Sequence, residues 1–217
     1  MRINIAHKEN NILQTVEEHL TGTAELAETF ASKIGLNQVG YLAGLLHDLG
    51  KCSDKFYDRI MNNGPICDHS TAGAEYLTLL FENLNIKYKQ ILLSVLQFSI
   101  LSHHGGLIDE VDDDGMAERA RRLKSDVGLS NVLDKADKSI LDKAKKVCQK
   151  DLNNEFQNVI YLINQRYKTK LAFYFNLSLL IKFLFSCLVD ADRKNTIRFF
   201  NQAKNQKNLK LLIIVDN

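Results

Sequence analysis

Residues 45–51, LLHDLGK, place a histidine beside an aspartate where a predicted helix comes to an end. The pattern of apolar residues predicts this helix from about Gln38 to Leu49, with Gly50 as its stop signal. Ala43 and Gly44 precede His47 by four and three positions, and such small residues let another helix or an ion approach closely. The stretch therefore offers an imidazole and a carboxylate to one place in the fold.

Other side chains of the same two chemical types recur along the chain, beside apolar helical stretches. They are His19, His69, His103, His104 and an aspartate within residues 188–193, LVDADR, which is either Asp190 or Asp192. With His47, these include five of the six histidines. Imidazole and carboxylate are ligands of zinc, iron, manganese, nickel and cobalt. Seven such ligands exceed what one ion with an open position needs, so two ions sharing a carboxylate are predicted.

The local patterns place several of these residues on helices. Thr15 and Glu18 form a predicted capping box, which starts a helix running to about Ile34. His19 lies on the apolar face of that helix, where a buried imidazole must find a partner. His69 is predicted near the start of a helix, and His103 near the end of another that runs from about 88 to 102. Segments 116–150 and 171–192 are predicted as two charge-rich helices and one long apolar helix.

Length and composition predict one compact domain over residues 1–217, and its long apolar-periodic segments predict that it is mostly helical; the family resemblance described below implies the all-α class. The chain has 45% hydrophobic residues and a single proline, Pro65, with no Pro-rich linker, and such a length can bury a core without cross-links. The tail, residues 208–217, is ambiguous: it is predicted either as a short C-terminal strand or as the edge of a longer chain. The acidic residues 109–114 are predicted as a solvated or mobile loop, since they lack the ligand pattern of a calcium loop.

Charge and cysteine content limit the classes of function. The net charge of +2 excludes a strongly basic protein. Local clusters such as residues 119–124 could follow a phosphate backbone, but a solvated helix face is the simpler interpretation. Four cysteines without CxxC spacing predict free thiols and a cytoplasmic location. No membrane span is predicted, because Lys182 interrupts the most apolar stretch, Leu171 to Val189.

Four motifs in order carry a family resemblance. Residues 45–51 (LLHDLGK), 68–74 (DHSTAGA), 102–107 (SHHGGL) and 188–193 (LVDADR) together resemble the HD nuclease domain of the type I CRISPR-associated nuclease-helicase, within the HD phosphohydrolase superfamily. Residues 5–8 (IAHK) and 14–20 (QTVEEHL) are similar to the opening segment of that family. The resemblance covers about residues 3 to 200.

The resemblance implies an α-helical HD bundle that cleaves single-stranded DNA in antiviral defence, as an endonuclease and exonuclease. In such a domain, water activated by two divalent ions attacks the phosphodiester. The implied ions are manganese, nickel, cobalt, iron or magnesium. His19, His47, Asp48 and the late aspartate would hold one ion.

The second ion would be held by Asp48, His69, His103 and His104, so that Asp48 bridges the two. Asp48 and Lys51 are the implied catalytic residues, with Lys51 facing the scissile phosphate. Asp190 and Asp192 lie about 200° apart on a helix, so only one can face the site. The Ala-Asp pattern of the superfamily favours Asp192, with Asp190 as the alternative. His7 is interpreted as a bystander with respect to metal.

The implied partners are single-stranded DNA, a helicase domain or subunit and a CRISPR surveillance complex, with no membrane. The sequence has no GxxxxGK[ST] phosphate-binding loop, so a helicase activity would belong to another polypeptide or another part of the protein. Two other functions stay open from the sequence. One is an HD phosphohydrolase acting on nucleotides or cyclic dinucleotides, and the other is a non-enzymatic, metal-stabilised adaptor.

Overall fold

The computed structural model describes residues 2–109, 117–149 and 152–215, and for residues 206–215 it describes the backbone only. Within these residues the chain folds into ten α-helices and one small antiparallel sheet, which confirms the all-α class. The elements are β1 (Ile5–Glu9), β2 (Ile12–Thr15), α1 (Val16–Ala31), α2 (Asn37–Leu46), α3 (Asp54–Asn62), α4 (Thr71–Glu82), α5 (Lys89–Ser102), α6 (Glu118–Leu123), α7 (Leu129–Lys135), α8 (Lys138–Gln149), α9 (Leu152–Arg166) and α10 (Lys170–Val215).

The N-terminal hairpin was not predicted from the sequence. Strands β1 and β2 pair around a turn in which Asn10 has a φ of 56°, a left-handed conformation that asparagine tolerates. The hairpin leads directly into α1 through the predicted capping box. The Thr15 hydroxyl accepts a hydrogen bond from the Glu18 backbone N–H at 3.1 Å, and the Glu18 carboxylate accepts one from the Thr15 backbone N–H at 2.8 Å. That prediction is confirmed.

The core is built on a close antiparallel approach of α1 and α2. At Gly44, an added Cβ would lie 2.6 Å from Ala24 Cα and 2.8 Å from Ala24 N, so only glycine allows the two backbones to come this near. Helix α10 packs against α1 and α5, and α4 packs against α5. Two histidine-bearing regions, one on α1 and one at the end of α2, therefore lie next to the middle of α10.

Three sequence-based predictions about the elements were wrong. Helix α2 ends at Leu46 rather than Leu49, and a short 3-10 helix, Leu49–Cys52, follows it. The segment predicted as two helices holds three, α6 to α8. The predicted C-terminal strand is absent, because residues 209–215 continue α10 as helix. Most of the predicted acidic loop, residues 110–114, lies outside the described residues.

Helix α10 also bears on the predicted lack of a membrane span. By length and composition, residues 170–205 could cross a membrane, with a mean hydropathy of 1.8 over the most apolar window. The Lys182 criterion used on the sequence was therefore too strict. Only length and composition indicate a span. In the protein, 22% of that apolar window is buried, and α10 packs on α1 and α5.

Gly44→Ala is expected to lower the free energy of unfolding by about 1–3 kcal/mol, since the added methyl group would collide with the backbone at Ala24. Urea unfolding monitored by circular dichroism measures the change. Gly105→Ala is the matched control, because a Cβ at Gly105 meets no atom within 4 Å. Equal stability of the two variants would contradict the close α1–α2 contact.

Candidate metal centre

Six of the seven ligand candidates of the preferred set gather around the seventh, Asp48. His19 lies on α1, and Asp192 lies in the middle of α10. The other five lie at or beyond helix ends, where the chain can turn side chains inward: His47, Asp48, His69, His103 and His104. At Asp48 the backbone leaves the helical conformation, with φ −119° and ψ 27°. This turn allows neighbouring His47 and Asp48 to point at the same place, which a continuous helix would have prevented.

The two oxygens of Asp48 face two different groups of histidines. Oδ2 lies 3.4 Å from His19 Nε2 and 3.3 Å from His47 Nε2. Oδ1 lies 3.2 Å from His103 Nε2, 3.4 Å from His104 Nε2 and 3.6 Å from His69 Nε2. The carboxylate is therefore placed between two sets of nitrogen donors.

Asp192 completes the set on the Oδ2 side. Its Oδ1 lies 3.5 Å from His19 Nε2 and 3.6 Å from His47 Nε2. Asp190, the alternative aspartate, is exposed on another face of α10. The structure thus brings Asp192, and not Asp190, to the cluster, in keeping with their angular separation on the helix.

The separations between donor atoms are those of atoms that share an ion. Two ligands bound to one ion at about 2.1 Å lie roughly 3.0–3.4 Å apart, for octahedral or tetrahedral angles. The nearest nitrogen-to-oxygen distances around Asp48 and Asp192 run from 3.2 to 3.6 Å. Two groups can therefore hold a metal ion: His19, His47, Asp48 and Asp192, and Asp48, His103 and His104.

His69 adds a further nitrogen on the second side. Its Nε2 lies 2.8 Å from His104 Nε2 as well as 3.6 Å from Asp48 Oδ1. The Gly50 backbone N–H donates to the His69 carbonyl oxygen at 3.0 Å, which ties the His69 segment to the turn that follows Asp48. All the histidines of the predicted set are thus near Asp48.

Hydrogen bonds on the far side of the rings orient four of these histidines. Each Nδ1 faces an oxygen: the Gly44 carbonyl for His47 at 2.8 Å, the Ile100 carbonyl for His103 at 2.6 Å, the Cys67 carbonyl for His69 at 3.1 Å, and Asn195 Oδ1 for His19 at 3.1 Å. A carbonyl oxygen only accepts, so Nδ1 carries the proton and Nε2 presents a lone pair. This is the usual arrangement of histidines that bind metal through Nε2.

Unsatisfied buried atoms test whether a cation fits here. Among the described residues, His19 Nε2, His47 Nε2 and Asp48 Oδ2 are buried and form no hydrogen bond. Lys51 Nζ approaches Asp48 Oδ2 at 2.8 Å as an ion pair, but without the angles of a hydrogen bond. Buried polar atoms are rarely left unpaired. Lone pairs that face each other at this distance require a proton or a cation between them, so the donor set fits a divalent metal.

The same contacts shift the pKa values of Asp48, His47 and His19. Burial alone would raise the pKa of Asp48, but Lys51 and His47 hold it well below its usual value. Burial would lower the pKa of His47, yet the charges of Asp48 and Asp192 raise it to about 10. Burial, with Lys51 and His47, lowers the pKa of His19 to about 4. The two carboxylates thus favour a positive charge at His47 Nε2, and a divalent ion bound there would compete with a proton for that nitrogen.

Lys51 lies inside the cluster rather than beyond it. The Lys51 residue is 6% exposed, and its Nζ lies 2.8 Å from Asp48 Oδ2 and 3.4 Å from His7 Nε2. His7 was interpreted as a bystander, but its ring packs edge-on against His19, with ring centroids 4.7 Å apart. Burial, then the charge of Lys51, lowers the pKa of His7. His7 is therefore adjacent to the candidate centre.

Three of the candidate ligands are exposed to solvent, and three of the histidines are not. The side chains of His19, His47 and His103 are inaccessible, whereas His104 is 49% exposed and His69 21%. Asp192 is 20% exposed. An incoming ligand would meet His104, His69 and Asp192 before the buried histidines.

Sequence reasoning missed the supporting residues of the centre. Arg122 fell within the basic cluster that was interpreted as a solvated face. Its guanidinium instead donates to the Leu101 carbonyl and to the Ser70 and Thr71 hydroxyls. It thereby joins the His69 segment to the end of α5, which carries His103. Arginine next to polar residues is too common a pattern for the sequence to have shown this role.

The comparisons with known proteins agree with this geometry. The HD domain family model matches residues 16–151, more than half of the chain, and the protein belongs to that family. No curated protein matches the chain. Membership indicates a metal-dependent phosphohydrolase, and the histidine–aspartate cluster supports the use of divalent metal.

Asp192→Ala is expected to remove the ion on the His19 side, since that side would lose one of its two carboxylates. Elemental analysis of purified protein after metal loading measures the number of ions per chain. Asp190→Ala, two residues earlier on the same helix, is the matched control and is expected to keep the full metal content. Full occupancy in Asp192→Ala would contradict the assignment of Asp192.

Proposed function

We propose that the chain is a metal-dependent nuclease that cleaves single-stranded DNA at a two-metal centre bridged by Asp48. The observation that carries the proposal is the division of the Asp48 oxygens between two groups of histidines. Two ions about 4 Å apart are suited to an in-line displacement at a phosphodiester, because they lower the pKa of water and stabilise both oxygens of the displacement. A single structural ion would not need both groups.

The residues of the chain have separate tasks in this proposal. Asp48 would bind both ions and so fix their separation. One ion would also be held by His19, His47 and Asp192. The other would be held by His69, His103 and His104. The carbonyl contacts of the Nδ1 atoms keep the imidazoles oriented before substrate arrives, so little reorganisation is needed. Lys51 would place its ammonium beside the charge that develops on the phosphate oxygens.

The exposure of the centre favours a polymeric substrate. A strand of DNA can reach ligands that lie at an open surface, such as the half-exposed His104. Exposed basic residues flank the aspartate on α10: Arg193, Lys194 and Arg198. Basic side chains beside a catalytic centre could contact the phosphates of a single strand, as in proteins that bind single strands without sequence preference.

The biological setting in this proposal rests on the motif resemblance alone. It comprises type I CRISPR interference in the cytoplasm, a helicase domain or subunit that supplies single-stranded DNA, and a surveillance complex that recruits it. The alternative, a phosphohydrolase of nucleotides or cyclic dinucleotides, shares the metal chemistry and differs in substrate. The substrate must therefore be tested directly.

Cleavage of circular single-stranded DNA by metal-stripped protein tests the proposal. Manganese, nickel, cobalt, magnesium and zinc are added back singly, and nicking is followed on denaturing gels. We expect metal-restored nicking that disappears in Asp48→Ala, because both ions lose their shared ligand. Cleavage by pure Asp48→Ala at the wild-type rate would refute the two-metal mechanism. Hydrolysis of a cyclic dinucleotide without DNA cleavage would instead establish the alternative.

Lys51→Ala is expected to keep both ions and to lower turnover by about 10²-fold, the effect typical of removing one group that stabilises the transition state. Steady-state cleavage rates and metal content are measured on the same preparation. Lys55→Ala, an exposed lysine on α3, is the control and should be unaffected. An unchanged rate in Lys51→Ala would reduce Lys51 to a structural partner of Asp48.

A further inference from the structure

A chain of hydrogen bonds connects Lys51 to His19 through three residues outside the ligand set. Lys51 Nζ lies 3.4 Å from His7 Nε2, and His7 Nδ1 lies 2.7 Å from Gln14 Oε1. Gln14 Nε2 lies 2.9 Å from Asn195 Oδ1, which also lies 3.1 Å from His19 Nδ1. We call His7, Gln14 and Asn195 the relay.

The chemistry of the two ends determines the direction of every bond in the relay. An ammonium can only donate, so His7 Nε2 accepts, and the proton of His7 is on Nδ1. His7 Nδ1 therefore donates to the Gln14 amide oxygen, and the Gln14 NH₂ group donates to Asn195 Oδ1. Asn195 Oδ1 can only accept hydrogen bonds, so the proton of His19 must be on Nδ1. His19 Nε2 is left with its lone pair directed at Asp48 and Asp192.

The fold brings the relay together from separate elements. His7 and Gln14 are directly opposite each other in the β1–β2 pair. Asn195 follows Asp192 by three residues on α10, so the two project from the same face of that helix. Gly22 follows His19 by three residues on α1, and a Cβ there would collide with the Asn195 side-chain nitrogen. The absence of a side chain at Gly22 therefore makes room for the Asn195 amide.

We propose that Asn195, supported by Gln14 and His7, is a positioning residue that holds His19 in the tautomer required for metal binding and links it to Lys51. His47 and His103 are oriented by backbone carbonyls in the last turns of α2 and α5, and His69 by a carbonyl of the segment before α4. His19 lies inside α1, where backbone carbonyls are engaged in helical hydrogen bonds, so its Nδ1 needs a side-chain acceptor. The N-terminal hairpin thereby acquires a role in the centre. This inference rests on the metal centre but not on the identity of the substrate.

Cobalt binding to metal-stripped protein tests this role without any substrate. The d–d absorption spectrum reports the geometry of each ion, and titration gives the number of ions and their affinities. In Asn195→Ala the affinity on the His19 side is expected to fall by about 10–100-fold, the usual effect of losing a partner of a metal-bound histidine. The spectral component that weakens should be the one that Asp192→Ala removes.

Two further variants separate positioning from a general structural effect. Asn195→Asp keeps an oxygen that accepts from both His19 and Gln14, and is expected to restore cobalt affinity and spectrum. Gly22→Ala leaves Asn195 in the sequence but displaces its amide, and is expected to behave like Asn195→Ala. Asn176→Ala, the same substitution on the same helix, is the control and should bind cobalt as the unchanged protein does.

The outcomes distinguish this inference from the function proposed above. Unchanged cobalt binding in Asn195→Ala would overturn the inference and leave the metal centre intact. Failure of Asn195→Asp to restore binding would also overturn it, because the accepting oxygen would then not be the cause. Absence of cobalt binding in the unchanged protein would overturn both the centre and the relay. DNA cleavage can fail without affecting any of these results.

Discussion

The buried carboxylate of Asp48 is the constraint on which the rest of the structure depends. A carboxylate out of contact with water is strongly unfavourable unless charges and hydrogen-bond donors surround it. Here Lys51 and five histidines lie around it, and they come from α1, the ends of α2 and α5, and the segment before α4. Each of these elements must be correctly placed before the charge is compensated. The core of the fold and the candidate centre are therefore parts of the same packing arrangement.

Two features of the helices make this arrangement possible. The first is the glycine contact at Gly44, which lets α1 and α2 approach closely enough for His19 and His47 to share a partner. The second is the position of most ligands at helix ends, where free carbonyls fix the histidine rings and the chain can turn. Asp192 and His19 are the exceptions within helices. His19 contacts the Asn195 side chain on α10, to which Gln14 of the hairpin donates, and Asp192 accepts a hydrogen bond from the Thr196 hydroxyl.

Membership of the HD family and the donor geometry lead to the same chemical class, but they do so independently. The family match ends at residue 151, whereas the cluster includes Asp192 on α10. The long last helix therefore contributes a ligand from beyond the matched region. Asp192 lies on the part of α10 that packs near α1 and α5. Much of the apolar surface of the same helix is exposed. His104, His69 and Asp192 are the candidate ligands that solvent can reach.

The sequence by itself determined the all-α class, the starts of α1 and α4, the approximate bounds of α5, and the set of ligand-type residues. Helical periodicity, capping residues and histidine–aspartate motifs involve residues that are close together in the sequence, so they can be recognised without the structure. Only the tertiary structure decided that Asp192 and not Asp190 reaches the cluster, and that Lys51 pairs with Asp48. It also brought His7, Gln14 and Asn195 next to His19, and Arg122 next to Ser70 and Thr71. These roles arise from contacts between residues that are far apart in the chain, such as Gln14 and Asn195 at a separation of 181 residues, and no local pattern encodes them.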